Sequence, residues 1–266
     1  MRKYGKNVVS AHYVIIAFLL TLLLLISRPL SAATLEEIDK QLQTADSPAE
    51  MLKATTVIQE SLEQTPSSSD LIWRLAKSYY KLGTEAGRAT RKEYFISCIE
   101  QAKRAIQLNS QSAGGFFFKG VCEGKLGEVD GVWSSLGVIE PLKQNMETVI
   151  KIDPAFEQGG PHRALGKMYH ELPLVLGGSL DKALEHLKEA VRLGPQFAEN
   201  YFLLAETYYS RKEYQPAQAA LNTVLDMTKE AKIHRDIRLV RRDAQELLKK
   251  ITRNLGDSNA QGTQNP

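Results

Sequence analysis

Cysteine is nearly absent, with Cys98 and Cys122 the two in 266 residues. There is no Cys-x-x-Cys and no Cys/His cluster, so neither thiol redox chemistry nor a zinc site is indicated. No segment alternates polar and apolar with period two for long enough to argue a strand, which points away from β architecture. Long apolar runs are missing too, apart from Tyr13–Ile26. That run of about 14 residues is short for a bilayer-spanning helix of about 20. It follows basic Arg2, Lys3 and Lys6 and precedes Arg28, Pro29 and the small residues Ser31-Ala32-Ala33. This arrangement predicts an export signal over residues 1–33, cleaved after Ala33, with an uncleaved inner-membrane anchor as the alternative. No cysteine lies near the cut, so a lipoprotein route has no acceptor.

Charge of one sign is also scarce. The chain holds 34 Lys and Arg against 31 Asp and Glu. Four of the basic residues and none of the acidic ones fall in residues 1–33, so the mature chain has a net charge of −1. A general nucleic-acid role loses its main support.

What the sequence does contain is a repeat. Ala183, Leu187 and Ala190 return 34 residues later as Ala217, Leu221 and Val224, with Pro195 closing one unit and Tyr201, Leu204, Ala205 and Tyr208 opening the next. This is the pattern of a tetratricopeptide repeat, in which each unit is a pair of antiparallel helices. The frame recurs with about ten extra residues in two units, from Leu75, Ala76 and Tyr79 to Cys98, Ala102 and Ala105, and from Gly120 to Leu142, Met146 and Val149. It also runs from Leu165, Gly166 and Tyr169 to Ala183. A first unit shows mainly Ala54, Ile58 and Ser61. The expectation is an all-α solenoid over residues 34–255, of four to five helix pairs plus a C-terminal capping helix from about Ile233 to Leu255. The polar residues 256–266 read as a disordered tail. Thr34–Glu37, Ser47–Glu50 and Thr90–Glu93 read as capping boxes. Cys98 and Cys122 lie symmetrically about residue 110 in a turn, at one height of a hairpin, and an oxidising compartment permits a bond. Cys98 also fills a small-residue packing position, where a free thiol serves as a small hydrophobe, and the sequence leaves both readings open.

Catalytic motifs fail on inspection. Gly160–Lys167 approximates a phosphate loop but has five residues between its glycines, and Met168 stands where Ser or Thr is needed. His170-Glu171 lacks the second histidine of a zinc protease. His162 and His170 read as surface or groove residues. Ser179 and Lys182 have acyl-serine spacing, but Ser179 reads as a helix cap. The run Arg235, Arg238, Arg241 and Arg242 reads as a solvated face. The reading is therefore a non-enzyme with no cofactor and no metal. In such solenoids the first helix of each pair lines a groove, and spacing nominates Trp73, Lys77 and Tyr80; Phe117 and Val121; Arg163, Lys167 and His170; and Phe202, Glu206 and Tyr209. Aromatics with Lys77, Arg163 and Lys167 suit an amphipathic ligand bearing a negative charge.

Gly159-Gly160-Pro-His-Arg-Ala-Leu-Gly166, followed by Leu172-Pro-Leu-Val-Leu-Gly177-Gly178-Ser-Leu-Asp-Lys-Ala183, resembles the TatT family, the tetratricopeptide T components associated with TRAP-type (tripartite ATP-independent periplasmic) transporters. The likeness covers about residues 70–252, including Ala244-Gln-Glu-Leu-Leu248. Ile72–Ala76 through Ala105 also looks like the microtubule-dynamics regulator family of related repeats. The TatT resemblance implies a periplasmic scaffold that docks a solute-binding protein and forms a homo-oligomer. The alternative is a general envelope-assembly adaptor binding peptides or protein segments.

Overall fold

Thr34 opens the first helix as its cap: its hydroxyl accepts from the Glu37 amide at 3.2 Å, and Glu37 Oε2 accepts from the Thr34 amide at 2.8 Å. The computed structural model describes residues 33–131, 136–230 and 235–262, with no account of the side chains of 130, 136 and 255–262. The export segment read at 1–33 therefore lies, except for Ala33, outside the described residues. The helices are α1 (Leu35–Thr44), α2 (Pro48–Gln64), α3 (Ser69–Glu85), α4 (Arg88–Leu108), α5 (Ala113–Asp130), α6 (Leu136–Ile152), α7 (Phe156–Glu171), α8 (Leu180–Leu193), α9 (Ala198–Ser210), α10 (Tyr214–Met227) and α11 (Arg235–Gly262). They form five consecutive pairs followed by α11, and no strand occurs among the described residues.

The last four pairs are each held where a small residue of the first helix meets a large one of the second. A Cβ added to Gly83 would stand 2.6 Å from the Phe95 ring, one on Gly120 2.7 Å from Met146, and one on Gly166 2.5 Å from Leu187. In the last pair Ala205 takes this place, fully buried with Leu221. Among the described residues, the middle units carry their extra length in longer helices. The helices α4, α5 and α6 have 21, 18 and 17 residues, against 13 and 14 in α9 and α10.

Cys98 and Cys122 form a disulfide between α4 and α5, with Cα atoms 6.3 Å apart. Both are fully buried in a core with Phe95, Ala102, Phe118 and Met146. The hairpin symmetry about residue 110 decides between the two readings. A second core joins α9, α10 and α11 through Leu221, Val224, Ala244, Leu247 and Ile251.

Three details differ from the sequence reading. The helix α4 begins at Arg88 with Gly87 as its cap, so Thr90 lies inside the first turn, its hydroxyl donates to the Gly87 carbonyl, and no capping box forms there. Ser47 caps α2, but Glu50 reaches the Asp46 amide instead of its own cap. The helix α11 continues to Gly262, beyond Leu255, because residues 256–262 contain no proline and no left-handed glycine that would stop it.

Candidate functional site on the first helices

The first helices α3, α5, α7 and α9, together with α11, turn charged groups toward one another. The Tyr80 hydroxyl on α3 senses Glu199 on α9, Arg163 on α7, Glu128 on α5 and Asp236 on α11. Lys167, midway along α7, is at the centre of this set. Burial works against its charge, but Glu171, Glu128 and Glu199 outweigh that, and its pKa is raised. Its nearest partner is Glu171 at 3.6 Å.

The aromatic candidates serve packing. Phe117 is 6% exposed and lies in the core, edge-on to Phe118 at 5.2 Å and 5.4 Å from Phe156. This corrects its expected groove position, since its ring packs among Phe118, Phe156 and Gly160. Trp73 wedges between α3 and α5: a Cβ on Gly114 would stand 2.3 Å from its ring, and its face carries the Arg74 guanidinium at 4.1 Å. Tyr80 rests against Phe118 and Phe95, and burial pushes its hydroxyl pKa up. Val121 packs at the edge of the same core, and Phe202 against the second core. Tyr209 lies beside Tyr214 at 5.8 Å, and its hydroxyl accepts from Asn254 on α11 at 3.5 Å.

The cation candidates are all engaged internally. Lys77 pairs with Glu157 at 2.5 Å. Arg163 Nη1 donates to Asn200 Oδ1 at 3.0 Å and to the Glu157 carbonyl at 3.3 Å, and its guanidinium lies 4.4 Å from the Phe197 ring. These contacts brace an unusual turn. Glu157, Gln158 and Gly159 have φ of 48°, 57° and 78°, three successive left-handed residues at the start of α7. For non-glycine residues this conformation costs energy and needs surrounding support. Fully buried Asn200 supplies it, its Nδ2 donating among the carbonyls of Gln158 at 3.0 Å, Ala190 at 2.9 Å and Gly194 at 3.1 Å. Gly159 fits because a Cβ there would stand 2.7 Å from the Ala190 carbonyl.

His170 is half-buried, with Nδ1 2.8 Å from Thr207 Oγ1. That hydroxyl donates to the Leu203 carbonyl at 2.9 Å, so His170 Nδ1–H is the donor and Nε2 is the free acceptor. Burial lowers its pKa, which keeps the ring neutral at pH 7.

Glu206 stands apart. Burial pushes its carboxyl up to about 7; Lys167 opposes this, while Glu171, Asp243 and Glu199 add to it. No ion pair to Glu206 is found among the described residues. Sequence reasoning named Glu206 and Lys167 but missed the carboxylates around them. The signal was present, because Glu199 precedes Glu206 by two turns and Glu171 follows Lys167 by one. A cavity of about 300 Å³ lies beside this face, lined by Thr84, Arg91, Phe95, Lys125, Glu128 and Val129. Among the described residues, no group of three or more His, Cys, Asp or Glu side chains converges to hold a metal, and no helix is long and apolar enough to cross a membrane.

Paired helices, small-residue crossings and a first-helix face together define the class: a tetratricopeptide-type α-solenoid. TTC0263, a thermophilic TPR protein of Thermus thermophilus, shares the fold with a TM-score of 0.60 at 19% identity, covering 80% of this chain and 99% of that one. The family model described as TRAP transporter T-component matches residues 130–253, and the resemblance to the TatT family holds over that span. A second model, regulator of microtubule dynamics protein 1-3, matches residues 34–158. Among curated proteins, regulator of microtubule dynamics protein 1 of Bos taurus is 25% identical over 198 residues, 67% of this chain and 62% of the relative. The Homo sapiens protein of the same name is 23% identical over 154 residues, 51% of this chain and 48% of the relative. The chain thus spans less than two thirds of the length of these relatives.

Proposed function

We propose that this chain is an exported, non-enzymatic scaffold whose first-helix face docks a basic segment of a periplasmic partner, the solute-binding protein of a TRAP-type transporter. The observation that carries the reading is Glu206, a half-buried carboxyl without an ion pair among the described residues, set among Glu171, Glu199 and Asp243 with Lys167 the cation beside it. An ammonium or guanidinium group placed there would gain charge-assisted hydrogen bonds in a partly desolvated setting. A small organic anion fits less well, because Lys77, Arg163 and Lys167 already face carboxylates that it would have to displace. The T-component match supports the choice of partner, and the solenoid fold supports a binding role, since stacked helix pairs work through extended surfaces.

Calorimetry with the purified receptor tests this directly. Glu206→Gln and Glu199→Gln should each weaken binding, and the losses should shrink at high salt. Wild-type affinity in both variants would contradict the docking face. The second reading, a general envelope adaptor, draws support from the match of residues 34–158 to a family model other than the transporter component. Capture of many unrelated periplasmic proteins in place of one receptor would favour it.

A further inference from the structure

Away from the first-helix face, His162 on α7 and His186 on α8 meet with their Nδ1 atoms 3.0 Å apart. Their ring centroids are 5.2 Å apart, with planes inclined by 43°. Tyr169, two turns after His162, stacks on His186 at 5.6 Å with planes 12° apart, and Lys182 Nζ lies 5.3 Å from the Tyr169 ring centre. Both imidazoles are half-buried and remain in reach of solvent. Neither belongs to the docking face described above.

Two imidazole nitrogens held by one metal ion at about 2.0–2.1 Å each stand about 2.8–3.4 Å apart, for bond angles between a right angle and the tetrahedral value. The observed separation falls in that range; the rings now face each other nearly nitrogen to nitrogen, so both turn about their side-chain bonds to aim at one ion. We propose that His162 and His186 form a bidentate site for a divalent first-row transition metal, bound through the two Nδ1 atoms. Imidazole pairs take Cu²⁺ more tightly than Zn²⁺ or Ni²⁺, so Cu²⁺ is the ion expected to bind most tightly.

The surroundings favour it. Tyr169 stacked on His186 supports one ring of the pair. In the metal-free protein one Nδ1 proton bridges the pair. On binding, that ring carries its proton on Nε2 instead, and no net proton is released. Glu189 is one turn from His186 and acts electrostatically on His162. It pairs with Arg192 at 2.5 Å, so the two imidazoles are the protein ligands and water completes the coordination.

The test uses the mature chain, purified without a histidine tag and titrated with Cu²⁺ under calorimetry and electron paramagnetic resonance. One saturable equivalent with two-nitrogen coordination is expected, lost in His162→Gln and in His186→Gln and kept in His170→Gln. Should a Gln variant fold poorly, histidine-selective NMR of the wild-type chain serves, since Cu²⁺ should broaden His162 and His186 before His170. The proposal is overturned by the absence of a saturable equivalent, by binding that survives the double substitution, or by broadening that spares these two rings.

Discussion

At the scale of single residues, two side chains separate support from function. Arg163 is a support. Its side chain is 14% exposed, and it holds Glu157 and Asn200 across the left-handed turn of α7. Hydrogen bonds to a charged group are worth about 1.5–3 kcal/mol, so Arg163→Ala should lower the unfolding free energy read from urea melts by an amount in that range. A value equal to wild type would mean the turn does not depend on it. Glu206 is the functional candidate, and its titration gives a signed test. Its pKa is about 7 in the folded chain, against an ordinary 4.5. The folded state therefore holds this proton more tightly than the unfolded state. The stabilising contribution of that proton is present below pH 4.5 and lost as the pH rises through 7. Glu206→Gln should raise the melting temperature at pH 8 and leave it nearly unchanged at pH 4. An equal change at both pH values would contradict the assignment.

At the scale of helices, the account rests on the crossings. Ala183 is fully buried, and a Cβ on Gly166 would stand 3.3 Å from its carbonyl oxygen. Ala183→Leu should overpack that contact and cost about 1–3 kcal/mol, read as a fall in melting temperature. The disulfide joins α4 to α5 across 24 residues. Chain-entropy arguments give a bond of that span about 3–4 kcal/mol. Reduction should shift the denaturation midpoint accordingly, and an unchanged midpoint would mean the reduced core holds alone. These elements were legible in the sequence because Gly83, Gly120, Gly166 and Ala205 mark crossings at a fixed place in each unit. The extra length of the middle units was legible as longer helices or loops, and spacing alone does not choose between the two. The left-handed turn was not legible, since Glu157 and Gln158 do not favour that conformation and only contacts from Asn200 and Arg163 make it stable. The groove position of Phe117 was not legible for a related reason: spacing told which face it occupies, not how deeply a neighbouring helix covers it. The His162–His186 meeting depends on the register of α7 against α8, which one-dimensional spacing does not contain.

At the scale of the whole described solenoid, residues 34 to 262, α11 ties the last pair to the first. The Arg235 guanidinium pairs with Glu85 at 2.9 Å, its backbone amide donates to Asp46, and Arg238 reaches Asp46 at 3.4 Å. Arg235 and Arg238 of the basic run that reads as a solvated face in the sequence thus have partners in the first two pairs, while Arg241 holds the end of α10 and Arg242 pairs with Asp243. Exposed pairs of this kind contribute about 0–1 kcal/mol, so the cores set the stability and these pairs set position. The central claim is that carboxylates of α7 and α9 receive a basic segment of a partner, and a charge swap tests it most directly. The affinity of the purified receptor for the Glu199→Lys, Glu206→Lys double variant should fall by at least about tenfold, 1.4 kcal/mol. A receptor in which the contacting lysine or arginine is replaced by glutamate should recover much of that loss. Wild-type affinity in the double variant, with the chain still folded, would contradict the account.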